Sequence, residues 1–286
     1  MKNQKTENLS RFTGCLMGLA CGDAVGSTLE FATRDSYEHL TDMVGGGPFN
    51  LQPGEWTDDT AMALCLAASL VESGRFDPLD QMQRYARWLQ EGYMSCNGTA
   101  FDIGNTTFDS IERFLKTGNP ISGPTGKFTA GNGCIMRLAP VPMFHANHQQ
   151  LAIEQSGVSS TTTHGATECV ECSRLLGGML WQALNGASKE AILLGHGVEK
   201  LTLPQMLDIA KGGYFTKKRE EIISSGRASE SLEAALWCFH TTSNFRDAIL
   251  KAANLGDDAD TVAAICGQVA GAYYGIDNIP AAWQKR

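Results

Sequence analysis

Apolar and polar positions recur along most of this chain with the 3.6-residue period of amphipathic α-helices. An early example covers about residues 10–25, whose apolar face carries Phe12, Cys15, Leu16 and Leu19. No segment shows the strict alternation typical of a strand, and the sequence contains no internal repeat. The pattern therefore predicts an all-α fold.

Helix-starting Asp, Thr and Pro residues and helix-ending Gly residues divide the rest of the chain into further segments. Helices are predicted over about residues 57–73, 77–92, 105–117, 165–185, 188–194, 203–211, 229–240, 243–254 and 258–274. Residues 1–10 are polar and predict a flexible leader, and residues 32–56 predict an irregular connection. We expect a single domain, residues 1–286, folded as a compact multi-helix orthogonal bundle around helices 57–73 and 258–274.

Two of the predicted helices begin with carboxylates and continue as largely apolar runs, at Thr57-Asp58-Asp59 and at Asp258-Ala259-Asp260-Thr261. An isolated acidic cluster is more often a solvated helix cap. Here both helices are predicted to be buried, where unpaired carboxylates are costly. If the two helix starts face each other, they offer oxygen ligands for two divalent cations, Mg²⁺ or Mn²⁺, in a central cleft. The ligand candidates are Thr57, Asp58, Asp59, Asp258, Asp260 and Thr261.

Composition narrows the class of protein further. The net charge of −8 argues against nucleic acid as the main partner. Residues 1–10 lack the apolar core of a signal peptide, and no apolar run reaches the length of a membrane span. The nine cysteines are scattered through apolar contexts, and the spacing of Cys169 and Cys172 fits a structural thiol pair better than a redox site. We therefore expect a cytoplasmic protein without a membrane partner.

Several short motifs follow one another along the chain. They are Gly22-Asp23-Ala24-Val25-Gly26 with Glu30, Trp56-Thr57-Asp58-Asp59-Thr60, Asp102-Ile103-Gly104-Asn105-Thr106-Thr107, Gly131-Asn132-Gly133 with Met136-Arg137, His164, Leu255-Gly256-Asp257-Asp258-Ala259-Asp260-Thr261, and Gly267-Gln268-Val269-Ala270-Gly271-Ala272. By their order and number, they make the chain resemble the ADP-ribosylglycohydrolases, the family of dinitrogenase-reductase-activating glycohydrolase. The resemblance extends from Gly14 to Gly275.

The resemblance implies a metal-dependent hydrolase that removes ADP-ribose from modified protein side chains. The motif spacing most resembles the arginine-specific type, so ADP-ribosyl-arginine is the favoured substrate, with serine-linked or other O-linked ADP-ribose as the alternative. A second alternative is an immunity-type protein that binds and neutralises an ADP-ribosylating toxin. The expected partners are an ADP-ribosylated protein or a small molecule containing ADP-ribose, together with a transferase counterpart.

The resemblance also implies roles for residues outside the two helix starts. Asp102 or Glu30 would act as the general acid and base, and the sequence does not decide between them. Taken alone, Glu30 would be read as a surface acid, and Asp102 as a turn residue that caps backbone groups. Asn105 would contact the substrate, and the metals would hold the ribose hydroxyls.

Three further positions are substrate candidates. Gly131-Asn132-Gly133 is predicted to run into a helix and to present backbone N–H groups to a diphosphate. His164 is expected near the ADP-ribose. Arg227 departs from the family pattern, in which an aromatic residue often stands at this place, and it could stack on the substrate or reach a phosphate instead.

Overall fold

The structure, a computed structural model, describes residues 2–286 and the side chains from Thr6 onward, and it confirms the all-α prediction. Within these residues no strand forms, and two isolated β-bridges are present. The helices are α1 (Lys2–Gly26), α2 (Asp58–Ser73), α3 (Pro78–Glu91), α4 (Asn105–Thr117), α5 (Pro140–Phe144), α6 (Gln149–Thr161), α7 (Thr167–Leu184), α8 (Lys189–Leu194), α9 (Pro204–Ala210), α10 (Ala228–His240), α11 (Phe245–Ala253), α12 (Ala259–Tyr274) and α13 (Ala281–Gln284). Short 3-10 helices cover Ser27–Leu29, Gly213–Thr216, Arg219–Glu221 and Ile276–Asn278.

The helix boundaries differ from the prediction in three places. Helix α1 begins at Lys2 and not near Ser10, whereas the flexibility of residues 1–10 stays a prediction and Met1 lies outside the described residues. Helices α5 and α6 were not predicted. The buried face of α6 consists mostly of Ser, Gly and Ala, so it leaves only a weak hydrophobic period in the sequence.

The helix predicted after the Gly131–Gly133 loop is wrong, because the chain forms successive turns from Asn132 to Leu138. Side chains donate hydrogen bonds to the backbone carbonyl groups that would accept N–H groups within a helix. Arg137 donates to the carbonyl of Gly133 at 2.7 Å, and Gln268 of α12 donates to the carbonyls of residues 135 and 136. The turns therefore lie directly on the central helix.

Helices α1 and α12 pack antiparallel at backbone contact, with small residues facing each other at every fourth position. The facing pairs are Gly14 with Gly271, Gly18 with Gly267, Gly22 with Ala263, and Gly26 with Ala259. A Cβ atom on any of the four α1 glycines would lie within 2.4 Å of the opposing carbonyl oxygen. This contact brings the C-terminal end of α1 to the N-terminal end of α12, where the predicted metal ligands lie.

Contrary to the expectation from the sequence, the segment Thr6–Leu29 is long and apolar enough to cross a membrane by length and composition. Within the protein, however, 67% of its most apolar stretch is buried. It packs along α12, which is itself buried from Ala259 to Ala272. The burial against α12 identifies α1 as a core helix of this fold.

Candidate metal centre and substrate cavity

The start of α2 is capped by a side chain from α1. One oxygen of Asp23 accepts hydrogen bonds from the backbone N–H and the hydroxyl of Thr57, and the other accepts from the N–H and hydroxyl of Thr60, at distances of 2.6–3.0 Å. Burial and then the nearby Asp260 raise the pKa of Asp23 to about 7. Because Asp23 caps the helix, Asp58 and Asp59 are free for other contacts.

The start of α12 is capped in the same way from the segment that follows α1. Glu30 stands directly after the 3-10 helix Ser27–Leu29, and its side chain is buried. Its Oε2 accepts from the backbone N–H groups of Ala259, at 2.9 Å, and Asp260, at 3.4 Å. A surface position for this acid, the alternative to a site role, is therefore excluded.

The two capped helix starts bring buried carboxylates together. One oxygen each from Glu30, Asp258 and Asp260 lies within 4.8 Å of the other two. Asp59 Oδ1 and Asp260 Oδ2 are buried and have no hydrogen-bond partner among the described residues. The hydroxyl of Thr261 lies 3.4 Å from Asp59 Oδ2 and links α12 to α2. Two orphaned carboxylate oxygens in one buried cluster fit a hard divalent cation, which prefers oxygen ligands.

The electrostatics of the cluster lead to the same conclusion. Burial, and then the charge of Asp260, raise the pKa values of Asp58 and Asp59 well above their usual range. The same two causes raise the pKa of Glu30 and bring that of Asp258 to about 7. Carboxylates held this close repel each other unless a cation or a proton offsets the charge.

A cavity of about 650 Å³ opens over the carboxylates, a volume in the range of sites for small-molecule ligands. The predicted site residues in its wall are Glu30, Asp58, Asp102, Asn105, Gly131, Asn132, Gly133, His164, Asp258, Asp260 and Thr261. Thr57 and Asp59 are buried behind this wall. The structure thus brings together residues from six distant segments of the chain.

One wall of the cavity is the loop that leads into α4. Asp102 lies there with a φ of +62°, and burial followed by the charge of Asp260 raises its pKa to about 11. Gly104 is the N-cap of α4 and provides no side-chain cap, and Asn105 is the first helical residue. The backbone N–H groups of the first turn of α4 therefore have no side-chain cap at the cavity.

The glycine loop forms another part of the cavity wall, beside the first turn of α4, and Asn132 anchors it. The backbone N–H of Asn132 donates to the carbonyl of Gly226 at 3.0 Å. Its side-chain amide donates to Ser231 Oγ at 2.9 Å and to Asp258 Oδ2 at 2.8 Å. Asn132 thus orients a predicted metal ligand as well as the loop.

His164 is buried beneath the same loop and leaves no room for side chains there. A Cβ atom on Gly133 would lie 2.9 Å from His164 Cε1, and one on Gly131 would lie 3.1 Å from Nε2. Burial, and then the nearby Arg137, lower the pKa of His164 to about 3. The ring is therefore neutral at the edge of the cavity.

Arg227 is the predicted site residue that the structure does not bring to the cavity. Its Nε donates to Glu168 Oε1 at 2.9 Å and its Nη2 to Oε2 at 2.5 Å, and its side chain lines a separate depression beside Lys217 and Glu233. Its backbone forms an isolated bridge with Gly131. Arg227 therefore supports the glycine loop from outside the cavity.

The sequence analysis missed an aromatic rim. Phe31 and Phe49 line the cavity, and their ring centroids lie 6.2 Å apart. The Phe49 ring lies 5.2 Å from that of Phe101. Phe31 is 68% exposed. Phe31 and Phe101 could have been predicted at the site from the sequence, because Phe31 directly follows Glu30 and Phe101 directly precedes Asp102.

Comparisons with known proteins show the family and the fold of this chain. The family model described as ADP-ribosylglycohydrolase matches residues 4–286. A Serratia proteamaculans protein named ADP-ribosylarginine hydrolase Tri1 is 49% identical over 98% of this chain and 75% of its own length. A Rhodospirillum rubrum protein named ADP-ribosyl-[dinitrogen reductase] glycohydrolase is 30% identical over 96% of this chain and 90% of its own length.

A solved structure titled ADP-ribosylglycohydrolase-related protein complex superposes with a TM-score of 0.83 and 40% sequence identity. The superposition covers 97% of this chain and 92% of that one. The resemblance inferred from the ordered motifs is thereby confirmed. With a family match over nearly its whole length, the chain belongs to the ADP-ribosylglycohydrolase family.

Proposed function

We propose that this protein removes ADP-ribose from arginine side chains of modified proteins. The observation that carries the proposal is the buried carboxylate cluster, with its orphaned oxygens on Asp59 and Asp260, at the floor of a cavity of nucleotide size. The relatives named ADP-ribosylarginine hydrolase, which are 49% identical to this chain, favour arginine as the linkage. We propose that residues 1–286 form one domain around this site.

Two divalent cations, Mg²⁺ or Mn²⁺, fit the donor set. The proposed ligands are the side chains of Thr57, Asp58, Asp59, Asp258, Asp260 and Thr261, whose donor atoms are all carboxylate or hydroxyl oxygens. When bound, the cations would supply positive charge that offsets the repulsion and orients the ribose hydroxyls. The caps from Asp23 and Glu30 fix the positions of the two helix starts that carry these ligands.

Hydrolysis breaks the bond between the anomeric carbon and the guanidine nitrogen. The bonding pair leaves with the guanidine nitrogen, while water adds to the anomeric carbon and loses a proton to a carboxylate. The carboxylate passes this proton to the released guanidine and is regenerated. Asp102 is the preferred carboxylate, because it reaches the cavity from a separate wall. One oxygen of Glu30 already accepts two backbone N–H groups, so Glu30 suits the role of a positioning group or metal ligand better.

The charges along the cavity wall suit the two ends of the substrate. The diphosphate would bind to the Gly131–Gly133 loop and the N-terminal turn of α4, where backbone N–H groups favour anions. The acidic side with Asp102 and the exposed ring of Phe31 suit the cationic guanidinium of the target arginine. Arg227 acts from outside the cavity by holding the loop against Glu168.

The proposal is tested with two modified peptides, one with arginine-linked and one with serine-linked ADP-ribose, each incubated with the protein and Mg²⁺. We expect faster initial release of ADP-ribose from the arginine peptide. Faster release from the serine peptide would overturn the arginine assignment, although the protein would still be an ADP-ribose hydrolase. Release from neither peptide, with ADP-ribose still bound, would favour an immunity-type binding protein.

The cellular location and the partners of this protein are proposed from its cysteines and from its proposed activity. The free thiols of this chain, eight of them buried, suit a reducing cytoplasm. An ADP-ribosylated protein is the proposed partner, and an ADP-ribosyltransferase that modifies the same arginine is the proposed counterpart. A search for arginine-linked ADP-ribose that accumulates when this protein is deleted would test both.

A further inference from the structure

The Arg137 side chain is fully buried behind the glycine loop, and it forms no ion pair with a carboxylate of the described residues. Its Nη1 donates to the carbonyl of Gly133 at 2.7 Å, and its Nη2 donates to Thr163 Oγ1 at 2.6 Å. Its Cζ lies 4.6 Å from the centroid of the Tyr85 ring, a cation–π contact. A guanidinium has donors only, so every hydrogen bond of Arg137 runs outward from it.

Because Arg137 can only donate, Thr163 must accept from it, and this determines how Thr163 hydrogen-bonds to His164. Thr163 Oγ1 accepts from Arg137 and lies 2.8 Å from Nδ1 of His164, and Thr163 itself is fully buried. No other acceptor for the hydroxyl proton is present among the described residues. A proton on Nδ1 would therefore leave the buried hydroxyl proton unsatisfied, which is costly. The arrangement that satisfies all three groups has Thr163 donating to an unprotonated Nδ1.

A neutral imidazole with an unprotonated Nδ1 carries its proton on Nε2. Nε2 has no hydrogen-bond partner among the described residues, and His164 lines the cavity. A Cβ on Gly131 would lie 3.1 Å from Nε2 and would cover this edge of the ring. The glycine thus leaves the Nε2–H uncovered beside the loop.

We propose that Arg137 and Thr163 are positioning residues that hold His164 as a neutral imidazole whose Nε2–H donates into the cavity, to an acceptor oxygen of the ADP-ribose. This inference rests on the proposed function and deepens it. A neutral donor recognises a diphosphate or ribose oxygen by direction, and it adds no charge that would compete with cations for the nearby carboxylates.

The tautomer itself is the most direct test. Nitrogen-15 spectra of histidine-labelled, ligand-free protein distinguish the proton-bearing nitrogen of a neutral ring from the bare one, and the signals that vanish in His164→Gln belong to His164. We expect the proton on Nε2 in the wild-type protein and a mixture of tautomers in Thr163→Val. A proton on Nδ1 in the wild-type protein would overturn the inference, and this measurement needs no variant to fold.

Binding of free ADP-ribose, measured by calorimetry, is the second readout. Thr163→Val keeps the side-chain shape and removes the relay, so we expect about a tenfold loss of affinity, the size of one hydrogen bond. Thr163→Ser restores the hydroxyl and should bind like the wild type. His164→Gln places an amide N–H near Nε2 and should retain more affinity than His164→Leu. Equal affinity of Thr163→Val and Thr163→Ser, with both folded, would show a merely structural role.

Both readouts are independent of turnover and of the linkage that is cleaved. A protein that releases no ADP-ribose from the arginine peptide, but shows the Nε2 proton and the tenfold loss, would overturn the proposed arginine activity and retain the relay. A protein that cleaves the arginine peptide with His164 protonated on Nδ1 would do the reverse.

Discussion

Gly18 of α1 and Gly267 of α12 meet backbone to backbone, and a Cβ atom on Gly18 would lie 2.2 Å from the Gly267 carbonyl oxygen. Gly18→Ala therefore forces the two central helices apart, and we expect it to destabilise the protein by about 3 kcal/mol. Urea unfolding measures this loss. Gly104→Ala is the matched control, because a Cβ there meets nothing within 4 Å and the φ of −69° suits alanine. Similar stabilities of the two variants would contradict the close contact.

Divalent cations should stabilise the folded protein, because the proposed ligands meet only after folding. Adding Mg²⁺ or Mn²⁺ to chelator-treated protein, at about a hundred times the dissociation constant, should contribute about 2.7 kcal/mol. Thermal melting with and without the cation measures the effect. Asp260→Asn replaces a carboxylate with a neutral amide and should abolish the shift. A melting temperature unchanged across roughly millimolar metal would count against the metal centre.

Asp102→Asn should separate chemistry from metal binding. Since the proposed ligands do not include Asp102, the variant should keep the cation-dependent rise in melting temperature. Its turnover of the arginine-linked peptide should fall by about a hundredfold or more, the usual contribution of a general acid or base. Asp260→Asn, in contrast, should lose both properties together. Wild-type turnover by Asp102→Asn would leave Asp102 as a turn residue and move the catalytic assignment to Glu30.

Acid should weaken the fold through His164. Burial, with Arg137 as the charged group facing the ring, lowers its pKa in the folded state to about 3 from the usual 6.5. The unfolded state binds more protons between these values, so the stabilising contribution is complete above about pH 6.5 and declines as the pH falls towards 3, by up to about 5 kcal/mol.

His164→Gln, which does not titrate, isolates this effect from the carboxylates. Stability measured by urea unfolding at several pH values should fall more steeply for the wild type than for the variant between pH 6.5 and 4. Parallel curves for the two proteins would mean that the pKa of the ring is the same in the folded and the unfolded state, as for a ring exposed to solvent.

The sequence predicted the features that depend on local chemistry. Thr57-Asp58-Asp59 and Asp258–Thr261 lie at helix starts as expected, and their neighbours are buried because the runs that follow them are apolar. Contacts over long sequence distances were not predictable. Nothing in the sequence around Asp23 indicates that its carboxylate accepts four hydrogen bonds from Thr57 and Thr60 at the start of α2.

The direction of the Arg227 side chain could not be predicted from the sequence either. Its place next to Gly226 does put its backbone beside the glycine loop, as the ordered motifs indicated. Its side chain turns away because Glu168, 59 positions earlier, accepts both of its outward N–H groups. A one-dimensional pattern gives the distance along the chain and the chemical type of a side chain, but the ion pair that orients it depends on how α7 and α10 pack.

Asp23 and Glu30 are separated only by the end of α1 and the 3-10 helix Ser27–Leu29, and each holds the start of a different helix. This short segment fixes the distance between the first turns of α2 and α12, which lie about two hundred positions apart in the sequence. Loops between residues 74 and 254 that lie away from the cavity, unlike those that carry Asp102 and Asn132, can lengthen or shorten without altering the spacing of the carboxylates. One residue inserted between positions 23 and 30 would change the spacing of the carboxylates. We therefore expect this enzyme to tolerate insertions in loops away from the cavity but not in the segment from Asp23 to Glu30.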